Sequence, residues 1–93
     1  MEDTKRQVFE IMEVEPRADG IWLVRGRCYD LIKVGDVLYT NNPDSANEFL
    51  SFKVTDIVTY HKHVDQLPAV YTGELQVEGP NGDSLQKASH LLL

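Results

Sequence analysis

Apolar and polar residues alternate with a period of two along much of this chain, and clusters of Gly, Pro, Asn and Asp interrupt them at short intervals. A period of two places successive side chains on opposite faces of an extended backbone, so the pattern predicts short, half-buried strands. Gln7–Glu15 reads as the first strand, with Val8, Met12 and Val14 on one face and Glu13 and Glu15 on the other. Pro16-Arg17-Ala18-Asp19-Gly20 ends it. Ile21–Cys28 is the second, with Trp22, Val24, Gly26 and Cys28 inward and Arg25 and Arg27 outward. Asp36–Thr40 is the third, and the polar stretch Asn41–Glu48 is a loop. Phe49–Tyr60 is the longest strand; its apolar set Leu50, Phe52, Val54 shifts phase to Ile57, which predicts a β-bulge near Asp56. His61–Gln66 reads as a turn, Ala69–Thr72 as an edge segment and Glu74–Glu78 as a strand. Gly79-Pro80-Asn81-Gly82 is a turn, Ser84–Lys87 a single helical turn capped by Asp83, and His90–Leu93 the closing strand. The expected fold is all-β, a small six- to seven-stranded antiparallel barrel.

Length changes the picture only by limiting it. Ninety-three residues make one domain, 1–93, with a small core. Fifteen acidic against nine basic side chains leave a net charge of −6. Such a surface lacks the clustered Lys and Arg that release counterions from a phosphate backbone, which points away from DNA and toward a basic partner or simple solubility. Cys28 is the only cysteine, so no intramolecular disulfide forms, and the expected compartment is the cytoplasm. No stretch approaches the roughly 20 apolar residues of a membrane span, and no membrane partner is expected.

Several segments together carry a resemblance. Gly20-Ile21-Trp22-Leu23-Val24-Arg25-Gly26-Arg27 is followed by Ile32-Lys33-Val34-Gly35-Asp36 and by Val54-Thr55-Asp56-Ile57. Ala69 then lies four residues before Gly73, with Leu75, Val77 and Gly79 behind it. This succession resembles the second-domain β-barrel of translational GTPases, the module that follows the nucleotide-binding domain in elongation factor Tu, elongation factor G and initiation factor 2. The resemblance covers most of the chain and implies a barrel whose work is contact with tRNA or the ribosome. The chain departs from that pattern in the hairpin between Arg27 and Lys33, where Tyr29-Asp30 stands at the bend in place of the usual glycine, and in the Asn41–Glu48 loop, which has no counterpart. It also has no Gly-x-x-x-x-Gly-Lys-Ser/Thr phosphate loop, so GTP hydrolysis is not expected of it.

Residues that could carry chemistry are few. His61, His63 and Asp65 alternate on one side of an extended segment as metal ligands would, but a fourth ligand is lacking and a solvated turn is the expectation. Cys28 alternates with Trp22 and Val24 and is expected as a buried small residue rather than a reactive thiol. Glu13 and Glu15 belong to an outward strand face, and Ser45, Ser51, Ser84 and Ser89 stand in no nucleophile-elbow context. No catalysis, metal or cofactor is therefore expected. Trp22, Tyr29, Tyr39, Tyr60 and Tyr71 are candidates for an aromatic binding surface, with Trp22 assigned to the core and Tyr29 to an exposed hairpin tip. Arg25, Arg27 and Lys33 form the local positive cluster, so Arg25, Arg27, Tyr29 and Lys33 are the candidate partner-binding residues. The expected function is a non-enzymatic interaction module that binds a protein. An RNA- or ribosome-associated accessory domain and a small acidic inhibitor of the immunity type are the alternatives, with a metal- or thiol-dependent enzyme the least favoured.

Overall fold

A computed structural model describes residues 6–42, 45–79, 85, 86 and 88–93 of the chain. Its strands are β1 (Gln7–Ala18), β2 (Ile21–Cys28), β3 (Ile32–Lys33), β4 (Val37–Asn42), β5 (Ser45–Thr59), β6 (Lys62–Val64), β7 (Gln66–Leu67), β8 (Thr72–Glu78) and β9 (His90–Leu92). Six of them pair in the order β4-β9-β1-β2-β8-β5, and pairing of β4 with β5 closes the sheet into a barrel. Every pairing is antiparallel. One extra strand, β6, lies outside the closed set as the hairpin partner of β5, and β3 and β7 form a separate two-stranded ladder.

The small core follows from the alternation. Val24 and Cys28 on β2, Leu38 on β4, Phe52, Val54 and Ile57 on β5, and Leu75 and Val77 on β8 are all fully buried. Trp22 packs against this cluster from its margin. The phase shift in β5 is a bulge between Val54 and Asp56, as the apolar spacing predicts. It has an architectural purpose. The first part of this 15-residue strand pairs with β4 and its last part with β8 and β6, so the bend at the bulge lets one strand close the barrel.

Several boundaries differ from the sequence expectation, each for a local reason. β1 runs through the expected stop: Pro16 pairs with Trp22 and Ala18 with Ile21 across a second bulge, leaving Asp19-Gly20 as the turn, with Gly20 at φ 74°. Proline needs no ladder donor at such an irregular strand end. A bulge between Ile11 and Glu13 turns Met12 outward, where it is 63% exposed, while Phe9 joins the core in its place. The expected loop at Asn41–Glu48 is mostly hairpin, because backbone pairing continues to Asn42 opposite Ser45 whatever the polarity of the side chains. The expected turn His61–Gln66 shrinks to Tyr60-His61, with β6 and β7 beyond it. The expected edge segment Ala69–Thr72 is a turn up to Thr72, where β8 begins. Pro80-Asn81-Gly82 of the expected turn after β8 lies outside the described residues, as do Ser84 and Lys87 of the helical turn and its Asp83 cap. Leu85 between them is fully buried.

Among the described residues no helix is long and apolar enough to cross a membrane.

Candidate functional site: a groove beside a strained aromatic rim

Arg25 points outward from β2, where the register places it opposite Glu74 of β8 on one side and Glu13 of β1 on the other. Its guanidinium donates from Nε to Glu74 Oε2 at 2.5 Å and from Nη2 to Glu15 Oε1 at 3.0 Å, and Nη1 lies 3.3 Å from Glu13 Oε1. The hydrogen bond to Glu74, followed by that to Glu15, raises the Arg25 pKa above its ordinary value. All three guanidinium nitrogens are thus engaged by carboxylates. Arg25 therefore stands among three carboxylates, whereas the sequence expectation grouped it with Arg27 and Lys33 as the local positive cluster. Arg27 is exposed further along β2, opposite Glu10, and Lys33 is exposed on the separate β3–β7 ladder.

Above the Arg25–Glu74 pair lies a groove of about 360 Å³, walled by Met12, Val58, Tyr60, Thr72 and Gly73. Its rim is apolar and aromatic. Tyr60 is 76% exposed and meets Tyr71 edge-on, with ring centroids 6.4 Å apart and planes at 82°. Val70, next to Tyr71, is 74% exposed.

The backbone beneath this rim is strained. Tyr60 at φ 51° and His61 at φ 63° form the two-residue turn between Thr59 and Lys62, and Val70 stands at φ 66°. These are the positive-φ residues other than glycine among the described ones. Two positive φ values in a two-residue hairpin are the geometry that Asn-Gly or Asp-Gly provides without strain. Tyr fits it poorly and His more readily, while a β-branched Val at positive φ is a true outlier. Such residues cost on the order of 1–3 kcal/mol each and tend to cluster at binding sites.

Tyr29 is exposed as expected, at 43%, but it stands in a bend between β2 and β3 and not at a hairpin tip, because β3 pairs with β7 rather than with β2; its ring lies 5.9 Å from that of His90. Partial burial, then the neighbouring Glu10 carboxylate, raises its phenol pKa. His63 Nδ1 pairs with Asp56 Oδ2 at 2.8 Å, so this histidine faces a carboxylate on β5 rather than His61. Among the described residues no group of three or more His, Cys, Asp and Glu side chains could hold a metal ion. Ser89 Oγ lies 2.9 Å from His90 Nδ1, a contact between adjacent exposed residues.

Cys28 is buried, and its thiol donates to the carbonyls of Asp30 and, at 3.4 Å, of Leu67. Burial raises its pKa. The folded state therefore holds the proton after the unfolded chain, whose thiol titrates near ~8.5, has released it. The stabilising contribution is whole below that pH and is lost as pH rises toward the folded pKa. Stability is expected to fall above about pH 8.5, and Cys28→Ala is expected to flatten that part of the slope in denaturant melts run from pH 7 to 10. An unchanged slope would place the alkaline lability elsewhere.

Sequence reasoning named Tyr60 and Tyr71 but missed Met12, Thr72, Gly73 and Glu74 as their neighbours. Only the bulge at Ile11/Glu13 brings Met12 to the groove, and the regular alternation of β1 gave no sign of it.

Comparison with known protein families, with curated proteins and with solved structures returned no match.

Proposed function

We propose that this chain is a non-enzymatic interaction module that binds a protein partner through the groove and its Tyr60/Val70/Tyr71 rim. One observation carries the reading: strained backbone and exposed apolar side chains coincide at one place, where the ordinary turn residues would have cost less. Tyrosine brings large, stiff contact area to an interface at low entropic cost. A barrel filled by its own side chains leaves its outer surface for this work.

The test exchanges the strained turn for a relaxed one. The double variant Tyr60→Asn/His61→Gly is expected to be more stable than the natural protein by about 1–2 kcal/mol, and to capture the partner roughly tenfold less well. Stability is read by urea denaturation, and capture by quantitative mass spectrometry of lysate proteins retained on each immobilised form, with and without ribonuclease. Equal retention of every protein by the two forms would overturn the proposal.

The exposed set Arg27, Tyr29 and Lys33 favours a second reading, an RNA- or ribosome-contacting barrel akin to the second domain of translational GTPases. Capture abolished by ribonuclease and weakening steeply with salt would support that reading over the first.

A further inference from the structure

We infer that the occupant of the groove is a basic segment of a partner protein, an arginine or lysine side chain seated between Tyr60 and the carboxylates around Arg25. This rests on the protein-binding reading above and adds the chemistry of the partner. The charge count at the Arg25 end of the groove decides the sign. Glu74 lines the groove with Arg25, while Glu13 and Glu15 lie outside the lining and engage the same guanidinium, so three negative charges meet one positive there. Arg27, opposite the wall residue Thr72, is faced across β1 by Glu10, which leaves the balance negative. Nε, Nη1 and Nη2 of Arg25 each already face a carboxylate. An incoming anion would meet three carboxylates around the one guanidinium, with only the second N–H of Nη1 and of Nη2 left to receive it. An incoming cation finds acceptors in surplus, because a carboxylate has about four lone-pair sites and Arg25 occupies one oxygen of each.

Arginine suits the walls as well. Its planar head can lie against the exposed Tyr60 ring, and its methylene stem against Met12. The groove opens to solvent at the rim, so a side chain can enter from an extended partner backbone. Arg17 lines a separate, smaller cleft of about 60 Å³ that shares Val58 and Glu74 with the groove and also holds the His63–Asp56 pair. The overall charge of −6 steers cationic partners toward the molecule but does not select this place on it.

The probe is a capped hexa-arginine peptide, titrated into the whole protein in 150 mM salt, where the Debye length of about 8 Å screens the diffuse attraction. Binding is followed by proton–carbon NMR of the Met12 methyl and by the amides of Thr72 and Gly73. Saturable shifts centred on these signals, weakened roughly tenfold by Glu74→Gln, as loss of one charge-assisted contact implies, would support the inference. A Glu13→Gln/Glu15→Gln variant serves if Glu74→Gln disturbs the fold. Shifts spread evenly over the acidic surface, no shifts at all, or preferential binding of a capped hexa-glutamate peptide would overturn it. If the partner of the natural protein is still lost from the relaxed-turn variant while hexa-arginine leaves the groove signals unmoved, the module reading stands and only its basic occupant falls.

Discussion

Replacing Phe52 by alanine is expected to remove about 3–5 kcal/mol of stability, from a domain whose whole stability is roughly 5–14 kcal/mol at this length. Phe52 is fully buried on β5, opposite Leu38 of β4, in the pairing that closes the barrel. Its ring fills the space beside Gly79 that a side chain would otherwise claim: a Cβ built on Gly79 would come within 2.2 Å of it. Collapse of neighbouring side chains into the vacated volume is restricted, because one wall of that volume is backbone. The cavity term should therefore add to the lost transfer energy. Urea melts of Phe52→Ala and of Lys53→Ala make the comparison, the second being expected within about 0.5 kcal/mol of the natural protein because Lys53 is exposed. A strand slipped by one residue would exchange the two results, so the pair tests the register of the closure as well as its energy.

How much of this was legible beforehand depends on which force wrote each feature. Burial wrote the barrel. Val24, Cys28, Phe52, Val54, Ile57, Leu75 and Val77 lie inward as their alternation requires, and even the bulge in β5 shows as a phase shift between Val54 and Ile57. Backbone hydrogen bonding wrote the strand ends, and it reads side chains weakly; β1 ran on past Pro16, and β4 and β5 ran on into the polar stretch from Asn41 to Glu48. The site was the least legible. Its turn is built from Tyr60-His61, of which Tyr60 signals strand rather than reversal and only His61 lies within the expected turn, and its third strained residue is a valine. Arg25 was found in the sequence but its carboxylate partners were not, because Glu13 and Glu15 are near it in the chain only through a hairpin whose register has a bulge in it, and Glu74 is 49 residues away. A cation counted along the sequence is one quantity. The same cation counted with its neighbours in space is another, and around Arg25 three carboxylates meet the one guanidinium.

Glycine 26 joins the fold to the groove, and Gly26→Ala is expected to destabilise the protein by about 3 kcal/mol or more, lowering the melting temperature by roughly 12 °C or more. Alanine in a strand ordinarily gains about 0.5–1 kcal/mol over glycine, so the sign itself is diagnostic. Here a Cβ would stand 1.8 Å from the carbonyl oxygen of Glu10 and 2.9 Å from the ring of Phe9. No rotamer relieves a collision with a carbonyl; β1 and β2 must part. They approach closely at this point because Gly26 sits across from Ile11, at the edge of the bulge that turns Met12 outward, with Gly73 of β8 as its other neighbour. Gly73 provides the contrast, since its added Cβ would meet Val58 O at 3.0 Å and flexible Leu67 methyls at 3.3 Å, so Gly73→Ala should cost distinctly less. If Gly26→Ala proved neutral, β1 would not cross β2 so closely. Met12 would then have no reason to face the groove, and the apolar wall on which the proposed site depends would be lost.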